Sequence, residues 1–277
     1  MARFHKMHGL GNDFVLFDAR DQAVALTPIL ARAVADRNTG IGCDQVILIE
    51  STCPGVSLDD PRNPYPGVSM RIWNADGSEV GACGNAARCV AALTGGGPIR
   101  TAGGLLDGEA LAGGATVTLP PPHFDCDGIP LAYPADAAAL PVAWGPLERP
   151  AAVNVGNPHL VFFVDDPAAV PLDELGPEIE HDPLFPERIN VNVASASGDA
   201  VTLRTWERGV GLTRACGTGA CATAVAAIRR GLASSPVTVH MPGGALTIAW
   251  APGAPIRMTG PATHVFTGEI DLEALLG

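Results

Sequence analysis

The sequence predicts an α+β protein built from two similar halves. Three observations carry this. Short β-type runs dominate the chain, two alanine-rich helical runs with almost no polar face are set among them, and each of those helices is entered through a Cys-Gly pair. A helix that is apolar all round is buried inside a protein. The same unit occurring once in each half of 277 residues reads as an internal repeat.

In order along the chain, "RFHKMHGLGNDF" opens an edge-like apolar segment and "DFVLFD" is the first clear strand. Pro28–Asp36 follows as a short helix, with proline at its first position. "QVILIE" and "VSMRIWN" are strands separated by the proline-rich "STCPGVSLDDPRNPYPG" (51–67), which reads as a surface loop insertion. Gly84–Leu93 is the first buried helix. A short glycine-rich stretch, 94–117, then leads into "ATVTLP". "PPPHFDCDGIP" (120–130) is the linker candidate, so the expected halves are 1–121 and 122–263. In the second half "HLVFFVD", "INVNVA" and "AVTLRTWE" precede the second buried helix, Gly217–Leu232, and "PVTVHM" and "ALTIAW" follow it. The last segment, "HVFTGEIDLEALLG" (264–277), is expected to return to the first half.

Composition narrows the function. The formal charge is −12 and no basic cluster is present, which argues against nucleic-acid binding, since phosphate neutralisation needs lysine and arginine in numbers. No apolar run approaches membrane-spanning length and no signal segment opens the chain, so a soluble cytoplasmic protein is expected. In that compartment the seven cysteines (43, 53, 83, 89, 126, 216 and 221) should mostly be reduced. None forms C-x-x-C and no Cys/His group has zinc spacing, so no metal is expected. Lys6 is the only lysine, which argues against a lysine-tethered pyridoxal phosphate.

The two Cys-Gly entries, "ACGNAARC" from Ala82 and "ACGTGACA" from Ala215, hold the chemistry. The first turn of a helix exposes backbone N–H groups and the positive end of the dipole. A thiol placed there is expected to ionise more easily, and the same N–H groups can hold a carboxylate beside a glycine that lets it approach. Two such sites could remove a proton from one face of a carbon and return one to the other, a two-base inversion of a stereocentre. Cys83 and Cys216 are the expected acid–base pair. Cys43, Cys53, Cys89, Cys126 and Cys221 are expected to be small packing residues. "GTGACA" also spells a dinucleotide-type G-x-G-x-x-A, but it lacks a strand directly before it and an acidic residue about twenty positions later.

With those residues in place the chain resembles the diaminopimelate epimerase family. The matching stretches are "KMHGLGNDFVLFD", "GIGCDQVILIE", "MRIWNADGSEVGACGNAARC", "GNPHLVFFV", "LFPERIN", "TWERGVGLTRACGTGACA" and "HVFTGEI". The resemblance implies two pseudosymmetric domains, each a curled mixed sheet around a central buried helix, with the active site in the cleft between them. It also implies a cofactor-independent isomerase that converts LL-diaminopimelate to meso-diaminopimelate for lysine and peptidoglycan synthesis, and that acts as a homodimer. Residue by residue, it places catalysis on Cys83 and Cys216 and thiol tuning on His159 and Glu207. Gly84, Asn85, Gly217 and Thr218 would hold the carboxylate at the reacting carbon. Asn12, Gln45, Asn74, Asn157, Asn190, Glu207 and Arg208 would make the remaining substrate contacts.

Some positions depart from the family pattern. Ala86 stands where glycine is usual, Cys43 lies close to Gln45, and Phe266 replaces a tyrosine associated with dimer contacts. Two other functions stay open on sequence grounds: a racemase of histidine or proline type on the same fold, and a binding protein without activity. Proline-type racemases usually carry histidine where Asn85 stands. A binding protein would need neither thiol.

Overall fold

A computed structural model describes residues 1–52 and 67–276 of the chain. The expected loop insertion at 51–67, apart from its ends, and Cys53 lie outside the described residues. The chain forms two compact units: Met1–Val117 with Gly260–Gly277, and Thr118–Thr259.

In the first unit β1 (Ala2–Gly9) pairs antiparallel with β2 (Asn12–Asp18). Helix α1 (Pro28–Ala35) supplies the crossover that lets β2 run parallel to β3 (Gln45–Ser51). β4 (Val68–Asn74) is antiparallel to β3 and to the two-residue β5 (Glu79–Val80). Helix α2 (Gly84–Thr94) is the second crossover, after which β6 (Gly97–Thr101) lies parallel to β4 and antiparallel to β7 (Gly104–Leu111). β8 (Gly114–Leu119) leads out of this unit.

Both faces of the central strands are covered. Val15 and Phe17 of β2 and Val46 and Leu48 of β3 cluster with Leu30 and Val34 of α1. The alternate residues Phe14, Leu16, Ile47 and Ile49 are fully buried too. Two covered faces explain why "DFVLFD" and "QVILIE" are continuous apolar runs rather than alternating ones. α2 packs against β1, β6 and β7, which lie at opposite ends of the pairing series, so the sheet curls around it.

The second unit begins with the small hairpin β9 (Ala143–Trp144) and β10 (Leu147–Glu148). It then repeats the first series. β11 (Ala151–Asn154) is antiparallel to β12 (Pro158–Phe163), and α3 (Leu172–Glu180) crosses over so that β13 (Asn190–Ser197) runs parallel to β12. β14 (Ala200–Glu207) is antiparallel to β13 and to β15 (Gly211–Thr213). α4 (Gly217–Arg229) is the second crossover, with β16 (Val237–Met241) parallel to β14 and antiparallel to β17 (Gly244–Ala249). β18 (Ile256–Pro261) pairs with β17, and β19 (Thr263–Ile270) returns to β1 in the first unit.

α4 packs against β11, β12, β13, β14, β16 and β17, so this sheet also wraps its helix. A second cluster, with Trp144, Phe162, Leu172, Ile179, Val191 and Val193, fills the outer side under α3. Sequence reading expects three helices and misses α3, whose Gly176 and Pro177 read as breakers. Gly176 is there for close approach: a Cβ on it would sit 2.5 Å from the Trp206 ring. The expected second helix ends earlier than Leu232, at Arg229, and the chain turns at Gly231 with φ +67°. The glycine-rich stretch 94–117 contains the strand pair β6–β7.

Candidate active site

Each unit places a cysteine at the N-cap of its central helix. Cys83 caps α2 and Cys216 caps α4, both in extended backbone conformation. The flanking positions repeat as well. Asn12 opens β2, and Asn157 stands at the same offset before the histidine of β12. Gln45 and Asn190 open β3 and β13, and Asn74 and Glu207 close β4 and β14. The expected site residues therefore sit at the same end of the same strands in each unit, beside the helix start.

In the first unit they form two hydrogen-bonded groups. Gln45 Nε2 donates to Asn74 Oδ1 at 2.9 Å, and Asn74 Nδ2 donates to Ser78 Oγ. Gln45 Oε1 is buried with no partner among the described residues, an acceptor suited to an ammonium group. Asn85 Nδ2 donates to Asn12 Oδ1 at 3.2 Å, and Cys83 Sγ lies 3.8 Å from the same oxygen. Asn12 Nδ2 donates to Asp44 Oδ2, which leaves its Oδ1 as an acceptor toward the sulfur. Gly84 follows the cysteine at the first helical position.

In the second unit Cys216 Sγ accepts from the Gly219 N–H at 3.3 Å and lies 3.6 Å from Thr218 Oγ1. Gly217 is the first residue of α4. Glu207 accepts from Thr213 Oγ1 and from the Cys216 thiol. Burial pushes the Glu207 carboxyl up, against those two hydrogen bonds. At Cys216 burial comes first and the charge of Glu207 adds to it, so the thiol stands well above its ordinary value despite bonds from Thr218 and Gly219. This differs from the expectation that a helix start lowers the thiol. Desolvation in a nearly closed environment outweighs the dipole here.

Asn190 Oδ1 accepts the Arg208 N–H at 3.0 Å while its Nδ2 donates to the Pro158 carbonyl, so Asn190 ties the strand end to the Glu207–Arg208 corner. The Arg208 guanidinium is exposed and anchored at one nitrogen by the Glu187 carbonyl. His159 is fully buried, with Nε2 2.9 Å from Asn157 Oδ1. Burial and then the charge of Arg208 hold its pKa at about 3, so the ring is neutral.

Three residues that sequence reading passed over matter here. Arg88 is wholly buried in α2 and donates to Asn85 Oδ1 at 2.8 Å. Glu180 of α3 accepts from Trp206 Nε1 at 2.8 Å and from the Gly209 N–H at 2.9 Å, bracketing the Glu207–Arg208 pair. Asn192 contacts His159. Lys6 is engaged with Asp13 and with the Gly42 carbonyl. Cys43 is buried, and burial pushes its thiol up to about 12, which suits a packing role. Among the described residues no group of three or more His, Cys, Asp or Glu is arranged to hold a metal ion, and no helix is long and apolar enough to cross a membrane.

These features define a class: two copies of one α+β unit, each with a buried helix entered through a cysteine and ringed by amides. Comparison with known proteins gives the family. The family model for diaminopimelate epimerase matches residues 4–107 and 151–265. A diaminopimelate epimerase of Rhizorhabdus wittichii is 63% identical over 276 residues, covering 99% of this chain and 97% of its own. One from Sphingopyxis alaskensis is 63% identical over 271 residues, covering 97% of each. The chain belongs to the diaminopimelate epimerase family. Solved structures agree on the fold alone. A phenazine biosynthesis protein of Enterococcus faecalis matches with TM-score 0.67 at 13% identity, covering 98% of this chain and 99% of its own. A probable proline racemase of Agrobacterium radiobacter matches with TM-score 0.66 at 14% identity, covering 98% and 93%.

Proposed function

We propose that this chain is an isomerase that interconverts LL- and meso-diaminopimelate by moving a proton at the α carbon between two sulfurs. The observation that carries it is the duplicated cysteine-capped buried helix in a chain 63% identical to diaminopimelate epimerases. In this reading the halves 1–121 with 264–277 and 122–263 each contribute one cysteine to a shared substrate. Cys83 and Cys216 address opposite faces of the carbon. One sulfur, as thiolate, takes the α proton while the other, as thiol, returns one. The carbanion spreads into the carboxylate, held by the first-turn N–H groups at Gly84, Asn85, Gly217 and Thr218.

Glu207 is the group that lets Cys216 ionise. The thiol proton passes to the Glu207 carboxylate and leaves a thiolate that accepts the hydrogen from carbon. The hydrogen bond from the Cys216 thiol to Glu207 supports this order, and because burial and the Glu207 charge both disfavour a thiolate the carboxylate has to take the proton as the thiolate forms. His159 acts on the same surroundings as an uncharged ring behind Asn157. Asn12, Gln45, Asn74, Asn157, Asn190 and Arg208 bind the rest of the substrate. Neutral amides suit a zwitterion because they donate and accept without titrating, and Arg208 is suited to clamp the distal carboxylate. No cofactor enters this scheme. A homodimer in the cytoplasm completes the reading. Val265 and Phe266, exposed on β19, support an association surface there.

Substrate identity is tested by offering the purified protein LL-diaminopimelate, L-proline and L-histidine in parallel. Turnover of diaminopimelate alone is expected. Faster racemisation of proline or histidine would overturn the assignment.

A further inference from the structure

The two units agree strand for strand, which allows buried positions to be compared. In the first unit Phe14 is the β2 partner of Gln45 at the start of β3, and Ile47 of β3 faces Ile72 of β4. In the second unit His159 is the partner of Asn190, and Asn192 faces Thr205. Thus the apolar trio Phe14, Ile47 and Ile72 is matched by the polar trio His159, Asn192 and Thr205. All six are buried. The fold is satisfied by hydrocarbon at these places, as the first unit demonstrates. Three buried polar side chains in the second unit cost desolvation, and stability alone does not call for them.

Their hydrogen bonds have one consistent assignment. Asn192 Nδ2 is 2.8 Å from the Leu160 carbonyl, an acceptor only, so that atom is the amide nitrogen. Thr205 Oγ1 donates to Asn192 Oδ1 at 3.0 Å. The second hydrogen on Nδ2 points at His159 Nδ1, 3.1 Å away, which must therefore accept. The ring proton is then on Nε2 and is donated to Asn157 Oδ1. That bond takes up the Asn157 Oδ1 and leaves Nδ2 as the donor end of the amide. Protonation of Nδ1 would set two donors face to face at 3.1 Å. Gly219 leaves room for this network, since a Cβ on it would sit 2.6 Å from Asn192 Oδ1. The matching position of the first unit holds Ala86.

We infer that Asn192, supported by Thr205, is a positioning residue of the reaction: it locks His159 as the neutral Nε2–H tautomer, which aims Asn157 at the substrate. This deepens the proposed function and rests on it. The pKa held near 3 agrees with the same assignment.

The test uses the full chain with ring-labelled histidine, the His159 signal being assigned with His159→Gln. In wild type, Nδ1 should give an imine-type and Nε2 a pyrrole-type nitrogen resonance, unchanged from about pH 5 to about pH 8, where an ordinary histidine titrates. Asn192→Asp should reverse the two resonances, because a carboxylate accepts from Nδ1–H, and should raise KM for LL-diaminopimelate about tenfold with a smaller change in kcat. The pair Asn192→Ile with Thr205→Ile, which places the first unit's side chains at those two positions, should still fold cooperatively and show the same loss. A wild-type Nδ1–H tautomer, a ring that titrates in that range, or an Asn192→Asp variant with wild-type KM would each overturn the inference. Failure of the wild-type protein to epimerise diaminopimelate would instead remove the proposed reaction, and the ring resonances would still report the tautomer.

Discussion

Arg88 Nη2 donates to Asn85 Oδ1 at 2.8 Å from a side chain with no exposed surface. The bond fixes which way the Asn85 amide faces. Asn85 Nδ2 can then donate to Asn12, and Asn12, held at its other end by Asp44, presents oxygen to the Cys83 sulfur. A guanidinium inside the helix thus sets the orientation of an amide relay that ends at a thiol. Replacing Arg88 by leucine strips a donor from Asn85 Oδ1 and from the Pro261 carbonyl.

Arg88→Leu is expected to lower stability by about 2–4 kcal/mol, since each buried acceptor left unpaired costs about 1–3 kcal/mol. Epimerisation should fall with it even at temperatures where the variant stays folded. Denaturant unfolding and a rate measurement on the folded fraction check both. Unchanged kcat in a folded Arg88→Leu protein would detach the relay from catalysis.

Glu180 makes the corresponding prediction in the second unit. Its carboxylate holds the Trp206 indole and the Gly209 N–H, so the corner that carries Glu207 and Arg208 rests on it. Glu180→Leu removes two charge-assisted bonds, worth about 1.5–3 kcal/mol each, and should blue- or red-shift Trp206 emission while raising KM more than it lowers kcat. Emission and KM both at the wild-type level would show that the corner holds without it.

The architecture was legible in sequence where hydrophobic pattern and repetition agree. The buried helices announced themselves by alanine, and the covered strands by continuous apolar runs such as "QVILIE". α3 was hidden because Gly176 and Pro177 serve local packing, the glycine against Trp206, and therefore contradict helix propensity. The two cysteines stood out as candidates because each opens a matching Cys-Gly helix start, whereas the surrounding amides were named only through the family resemblance, since an asparagine by itself reads as a turn or cap residue. Arg88, Glu180 and Asn192 could not be picked out, because a polar residue in a helix or strand looks solvated until its burial is known. The ionisation of Cys216 was beyond sequence for the same reason: the helix start is visible in "ACGTG", but the desolvation that outweighs it is not.

Acid should destabilise the protein through His159. Its folded pKa of about 3 lies below the ordinary 6.5, so below that ordinary value the unfolded chain binds a proton that the folded ring refuses. Stability from this group is intact at neutral pH and falls as pH drops, by about 2 kcal/mol between about pH 7 and about pH 5. Glu207 acts in the opposite sense, because its raised folded pKa favours the fold at low pH and that contribution is lost as pH rises through the folded value. Denaturant midpoints measured across this range for wild type and His159→Gln isolate the histidine. The variant should show a flatter profile, and equal slopes would contradict a neutral buried ring.

The most direct measurement of the central claim is hydrogen exchange at the α carbon of LL-diaminopimelate in deuterated water with wild type, Cys83→Ala and Cys216→Ala. Wild type should place deuterium at the inverted centre of the meso product. Each single variant should lose epimerisation altogether, because one sulfur cannot serve both faces of the carbon. Inversion that proceeds at the wild-type rate in either variant, or product that carries no deuterium, would contradict proton transfer between the two thiols.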